Sequence, residues 1–315
     1  MKKAFIQSVI NISKKNKNIV FISVDQPTGY EKELKNSLGE RFLVEPISES
    51  NVIGMASGLS SEGYIPIVFN HATFNTRRCY EQILLDCCLQ NRKIILFSMG
   101  AGLATSHLGP SHTSLDDIGL MRLIPNMDIA VPCNSYEVKK LTPQILKSKN
   151  SCYLRIGKYG IPKNGINIDQ KYFTNYNFKK ILLVTKAHKK NEIALISTGI
   201  TTPIAIEVNY ILKKNNIKSE VYHTPSINPK NNLILKNIFL KSKKIVFLEE
   251  HYEKSGLANA IIDKVLFELK FRKLPEIHRF AIPSNKFVKK YGNQDSVLDF
   301  YGISKNNILK SLGVI

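Results

Sequence analysis

Short runs of β-branched and aromatic residues alternate along this chain with stretches whose apolar positions repeat every three to four residues. That alternation restricts it to an α/β fold with mainly parallel sheets. Strand-like runs in the first half fall at Ile19–Val24, Ile65–Phe69, Ile94–Ser98, Asp128–Val131 and Cys152–Ile156, with helical spacing over 3–15, 49–60, 75–91, 115–123 and 135–147. The helix over 75–91 is the clearest, because Tyr80, Ile83, Leu84, Cys87 and Cys88 share one face. A passage over 157–191, with Gly157, Gly160, Pro162, Gly165 and scattered Lys and Asn, reads as a linker with room for a strand pair. A second α/β unit then follows: strands at Ile193–Ser197, Ser219–His223, Ile245–Glu249 and Ile277–Ala281, and helices over 202–214, 256–268 and near 304–312. The expected division is two three-layer domains, 1–165 and 190–315, joined by a linker over 166–189, with no internal repeat.

Within the first unit, residues 47–63 carry the most chemical information. Ile53, Ala56 and Leu59 fall on one helical stripe, and Gly54, Ala56, Ser57 and Gly58 permit close approach of another backbone. Glu49 then stands at or just before the first turn, where free N–H groups favour a carboxylate and burial would oppose its charge. From this segment alone, a chemically working acid and a helix-capping Glu beside Ser48 are both open.

Composition removes several classes. With 43% hydrophobic and 9% aromatic residues the chain reads as globular. It lacks a run of about 18 apolar residues, and its first residues lead into charge rather than an apolar signal core. A cytoplasmic protein with no membrane partner is therefore expected. The five cysteines, Cys79, Cys87, Cys88, Cys133 and Cys152, form no C-x-x-C pair, so they read as reduced core residues with no metal site. The formal charge of +20 invites a nucleic-acid reading. The lysines, however, are spread as short pairs without aromatic interleaving, so nucleic acid is not expected as a partner.

Five passages, in order, resemble the C-terminal half of transketolase-like thiamine diphosphate enzymes: PISESNVIGMASGLSSEG (46–63), ATFNTRRCYEQI (72–83), GAGLATSHLGPSHTSLDDIGLMRLIPNM (100–127), CYLRIGK (152–158) and KIVFLEEHYEKSGLANAIIDKV (244–265). The resemblance implies a thiamine diphosphate pyrimidine-binding domain followed by a transketolase C-terminal-like domain. It matches Glu49 to the acid that hydrogen-bonds N1′ of the cofactor's aminopyrimidine, whose tautomer then helps deprotonate the thiazolium carbon. Phe74 matches the ring that stacks on the pyrimidine, although an ordinary core Phe is the alternative. His112 matches the histidine facing the substrate oxygen, and Arg155 a position that binds an anionic substrate group. Asp25 ends a strand where the family has an acid near the cofactor. Arg122 and Asn126 read as holding their loop together, and Glu249, Glu250 and His251 as packing or interface residues.

The chain departs from the family pattern at named places. No Gly-Asp-Gly is present to hold Mg²⁺ or Ca²⁺ and the diphosphate. The resemblance thus implies a separate N-terminal-half subunit that binds the metal, and a heterotetramer of two pairs. Gly100 stands where transketolase has a histidine, Leu108 replaces an acid, and His71 takes an aromatic position beside the pyrimidine. His107 is the residue available to substitute in substrate binding. The resulting expectation is a split transketolase-like subunit that moves a two-carbon ketol unit between sugars. The alternatives are action on pyruvate or a related 2-oxo acid, as in deoxyxylulose-phosphate synthase or a 2-oxo acid dehydrogenase beta subunit, and a non-catalytic scaffold.

Overall fold

A computed structural model of the chain describes residues 1–25, 28–157, 170–186 and 192–315. Its first sheet contains β1 (Ile19–Val24), β2 (Phe42–Glu45), β3 (Ile65–His71), β4 (Ile95–Met99), β5 (Met127–Ala130) and β6 (Ser151–Ile156). The order is β2-β1-β3-β4-β6-β5 and every pairing is parallel. Alternation along β1 sorts the layers: Ile19 and Phe21 face one side with Phe5, Val9, Val138 and Leu141, whereas Val20, Ile22 and Val24 face the other with Val52, Ile53 and Ile83. Helices Lys2–Ser13 and Ser135–Lys147 therefore cover one face, and helix Glu49–Ser61 lies on the other.

The second sheet contains β7 (Leu182–Thr185), β8 (Ile193–Ser197), β9 (Ser219–His223), β10 (Lys244–Tyr252) and β11 (Glu276–Ile282). Its order is β11-β10-β8-β9-β7, parallel except that β7 runs antiparallel to β9. Strand β7 comes from the stretch expected as linker, so the second sheet recruits it ahead of residue 190; 166–169 and 187–189 lie outside the described residues. One apolar cluster runs from Ile22 and Tyr153 of the first unit to Phe247 and Leu257 of the second, which makes the core continuous across both.

Several elements differ from the sequence expectation, among them helix Gln294–Phe300, which it did not include. Helix Glu31–Leu38 and edge strand β2 were not foreseen, because that helix buries only Leu34 and Leu38 and offers almost no periodic signal. Helix Asn232–Lys241 also was not foreseen, although Leu235, Ile238 and Phe239 bury a helical stripe. The single helix expected over 75–91 is divided into Ala72–Thr76, Tyr80–Gln82 and a wider π-type turn at Ile83–Cys88. The break at 77–79 sends Arg77 to Asp116 and Arg78 to Glu49, so two arginines adjacent in sequence serve different loops. No helix among the described residues is long and apolar enough to cross a membrane.

Candidate active site

The chain turns one way from β1 to reach β2 and the other way to place β3, so the carboxyl ends of β1 and β3 open a crevice at a topological switch point. A cleft of about 440 Å³ lies there, lined by residues that include Asp25, Glu49, His71, Phe74, Arg78 and His112. Val24, Ile47 and Leu108 add apolar surface, and Asn70 and Thr105 add polar atoms.

Glu49 is the first residue of its helix and is 8% exposed. Its Oε1 accepts from Arg78 Nη1 at 2.8 Å and Asn70 Nδ2 at 3.4 Å. Among the described residues no hydrogen bond ties the carboxylate to its own helix N–H groups, and Oε2 has no partner. The capping role that the sequence left open is therefore not the one adopted.

His71, at the end of β3, is buried, with Nδ1 3.0 Å from Thr73 Oγ1 and Nε2 3.0 Å from Thr105 Oγ1. The Thr105 hydroxyl has one proton and lies 2.8 Å from the carbonyl of His112, so it donates there and accepts from His71 Nε2–H. Nδ1 then accepts from Thr73. Burial, reinforced by His112 and Arg77, pulls His71 down to about 4, which keeps the ring neutral at ordinary pH. Gly100 has φ +69°, and a β-carbon there would run into the His71 imidazole. The side-chain space lost at 100 is thus filled from 71.

His112 presents its ring edge-on to both Phe74 and His71, with centroids 5.2 Å apart in each case, and Ser111 Oγ sits 3.0 Å from its Nδ1. Burial, then Arg78 and His107, lower its proton affinity. Phe74 is half-buried and carries the Arg78 guanidinium 4.0 Å from its centroid.

Two expected site residues do not reach the cleft. His107 is exposed in the turn Ser106–Leu108, and only its charge reaches the site, through His112. Arg155 is 5% exposed and donates Nε to Asp117 Oδ2 at 2.7 Å and Nη2 to the carbonyls of Glu250 and Ser114. A guanidinium taken out of water needs its donors matched in place, and here Asp117 and Glu250 do so, away from the cleft in which an anionic substrate group was expected to meet Arg155. Glu250 accepts from Leu103 N and Gln294, and Arg122 reaches the carbonyls of Ser255 and Gly256, so both tie the loop around 100–122 to the second unit. Asn126 adopts the left-handed conformation, φ 62°, and donates to Asn91.

Residues 1–162 match the transketolase pyrimidine-binding domain and 183–308 the transketolase C-terminal domain. This chain belongs to the transketolase family. It is a family of thiamine diphosphate-dependent enzymes of transferase type. The chain is 25% identical to one of the subunits of the apulose-4-phosphate transketolase of Phocaeicola vulgatus, over 98% of this chain and 95% of that one. It is 28% identical to a putative transketolase C-terminal section of Methanocaldococcus jannaschii, over 99% and 95%. Against 1-deoxy-D-xylulose-5-phosphate synthase of Halothermothrix orenii the identity is 26%, over 98% of this chain but 46% of that protein. A solved structure described as a split gene transketolase, inactive beta4 tetramer, shares the fold at TM-score 0.83 and 23% identity, covering 98% of this chain and 96% of that one.

The cleft suits the aminopyrimidine end of thiamine diphosphate. One wall is apolar and aromatic, and a nearly buried carboxylate opposite it keeps Oε2 without a partner among the described residues. No trio of metal-ligating side chains converges in the cleft among those residues. The trio that does exist, Cys133, Glu137 and His223, is buried between the two units. Its groups are already matched by Tyr176, Thr202 and the Cys133 N–H, which is the pattern of an interdomain clamp.

Sequence reasoning did not single out Asn70, Thr105 or Arg78. Asn70 and Thr105 carry no pattern of their own, being brought to the cleft by a strand end and a loop. Arg78 had a faint signal, since it follows Phe74 by four residues, the spacing at which two helical side chains meet.

Proposed function

We propose that this chain is the C-terminal subunit of a split transketolase-like enzyme that moves a two-carbon ketol unit from a ketose to an aldehyde in the making of a specialised sugar. The observation that carries this is the convergence of Glu49, Phe74 and His112 on one cleft at the carboxyl ends of β1 and β3. When bound, thiamine diphosphate supplies the reactive carbon and the electron sink. Glu49 holds the hydrogen bond to the aminopyrimidine, Phe74 and His71 bound it, and Asp25 closes its rim. His112 holds or passes a proton at the substrate oxygen. Leu108 makes the substrate end less acidic than in transketolase, which changes the hydroxyls and charges that can be satisfied.

The match over 95% of a protein that is itself named as one subunit of a transketolase supports action with a separate subunit carrying the diphosphate and Mg²⁺ or Ca²⁺ site, two pairs forming a heterotetramer in the cytoplasm. A second reading is action on pyruvate or another 2-oxo acid, favoured by the similarity over 98% of this chain to deoxyxylulose-phosphate synthases. Titrating thiamine diphosphate and Mg²⁺ calorimetrically into this chain, and then into its mixture with a diphosphate-domain subunit, tests the split. Binding only in the mixture is expected. Equal binding by the chain alone, or none in either, would sink the subunit reading, and a ketose-against-pyruvate substrate test separates the two chemistries.

A further inference from the structure

Two features that an aminopyrimidine needs in this cleft are both engaged by one side chain of the chain itself. The Arg78 guanidinium lies 4.0 Å from the centre of the Phe74 ring, and its Nη1 lies 2.8 Å from Glu49 Oε1. Guanidinium is a planar N–C–N group with donors along its edge; an aminopyrimidine is likewise planar, and in its protonated or imino form it offers N1′–H to a carboxylate. The guanidinium can therefore stack on the aromatic face and donate to the carboxylate at the same time. The two partners differ in freedom. Glu49 is 8% exposed and fixed at a helix start, whereas the Arg78 side chain is 47% exposed and can swing into water without opening the core. Without the arginine, Glu49 would keep a nearly buried charge with only the 3.4 Å contact from Asn70, a costly arrangement.

We propose that Arg78 is a placeholder for the cofactor's aminopyrimidine: it covers Phe74 and pairs with Glu49 while the cleft is empty, and it must leave both for the pyrimidine to enter. This rests on the reading of Glu49 and Phe74 as the pyrimidine site. It makes the unliganded chain self-satisfied, so cofactor binding has to displace an existing ion pair and stack, and the isolated subunit is protected from weak, unproductive binding.

The test is calorimetric titration of 4-amino-5-hydroxymethyl-2-methylpyrimidine, the pyrimidine half of the cofactor, into the complex of the full chain with a diphosphate-domain subunit, the chain being wild type, Arg78→Ala, Arg78→Lys or Arg78→Ala/Glu49→Gln. Circular dichroism confirms the fold of each, and the exposed position of Arg78 makes loss of fold an unexpected outcome. Arg78→Ala should bind the fragment about tenfold more tightly, the size of a stacked, charge-assisted contact. Arg78→Lys, which keeps the charge without the planar stack, should gain less, and the double variant should lose the gain. Fragment binding that needs Glu49 but is unchanged or weaker in Arg78→Ala overturns the placeholder while leaving the pyrimidine site standing. Fragment binding that ignores Glu49, or no fragment binding by any form, overturns the site reading and the placeholder with it.

Discussion

Nε2 of His223, at the end of β9, lies 3.0 Å from both carboxylate oxygens of Glu137, which stands in the first turn of helix Ser135–Lys147, so one fully buried pair joins the two units. Tyr176 donates to Oε1 at 2.8 Å and Cys133 N to Oε2 at 2.6 Å, and Thr202 Oγ1 sits 2.8 Å from His223 Nδ1. Burial pushes Glu137 up, but the charge and hydrogen bond of His223, with the Cys133 contacts, hold it below its ordinary range. Its stabilising contribution is present above the ordinary carboxylate value of 4.5 and is lost as pH falls through the lowered one.

Glu137→Ala leaves His223, Tyr176 and the Cys133 N–H without their buried partner, so a loss of about 3–5 kcal/mol is expected. The midpoint of urea unfolding of the whole chain reads it. A loss under about 1 kcal/mol would mean that this pair adds little to holding the two units together.

Two neighbouring acids set a pH dependence of opposite sign. Burial pushes Glu249 and Glu250 up to about 7, against the backbone bonds of Leu257 and Ala258 for the first and against Arg155 for the second. Between 4.5 and about 7 the folded chain therefore keeps protons on them that the unfolded chain has released, and their contribution falls as pH rises. Glu250→Gln removes one of these groups while keeping an acceptor for Leu103 N. The stability of this variant relative to wild type should climb through that window. Denaturant unfolding at a series of pH values measures it, and a flat difference would contradict the raised affinity.

Gly100→Ala should act on His71. Alanine at φ +69° costs about 1–2 kcal/mol, and the added carbon pushes the imidazole from between Thr73 and Thr105. The expected result is a less stable chain whose His71 titrates above its present value of about 4, toward 6.5. Proton NMR of the imidazoles follows this directly, and an unmoved titration would show that the loop around 100 yields instead.

Glu49→Gln preserves shape and removes charge. In the complex with a diphosphate-domain subunit, turnover should fall by about 10²–10⁴-fold, with assembly unchanged by light scattering. Full turnover would remove Glu49 from the chemistry and favour the scaffold alternative.

The alternation of apolar periods determined both α/β units, nine of the eleven described strands and most helices, because burial on two faces demands a continuous β-branched run in each strand and a stripe in each helix. Family-like passages pointed to Glu49, Phe74, His71 and His112 because each motif is local: a helix start, a strand end, a Gly-Pro turn. Helix Glu31–Leu38 was invisible because two leucines are too few to make a period. Only the tertiary structure decided which of the charged residues serve the cleft. Arg78 reaches it and Arg155 does not, because a guanidinium's role depends on which carboxylates the packing brings within 3 Å and how much water is left around them. That information is held in contacts between residues 29 and 38 positions apart, which no local pattern in the sequence records.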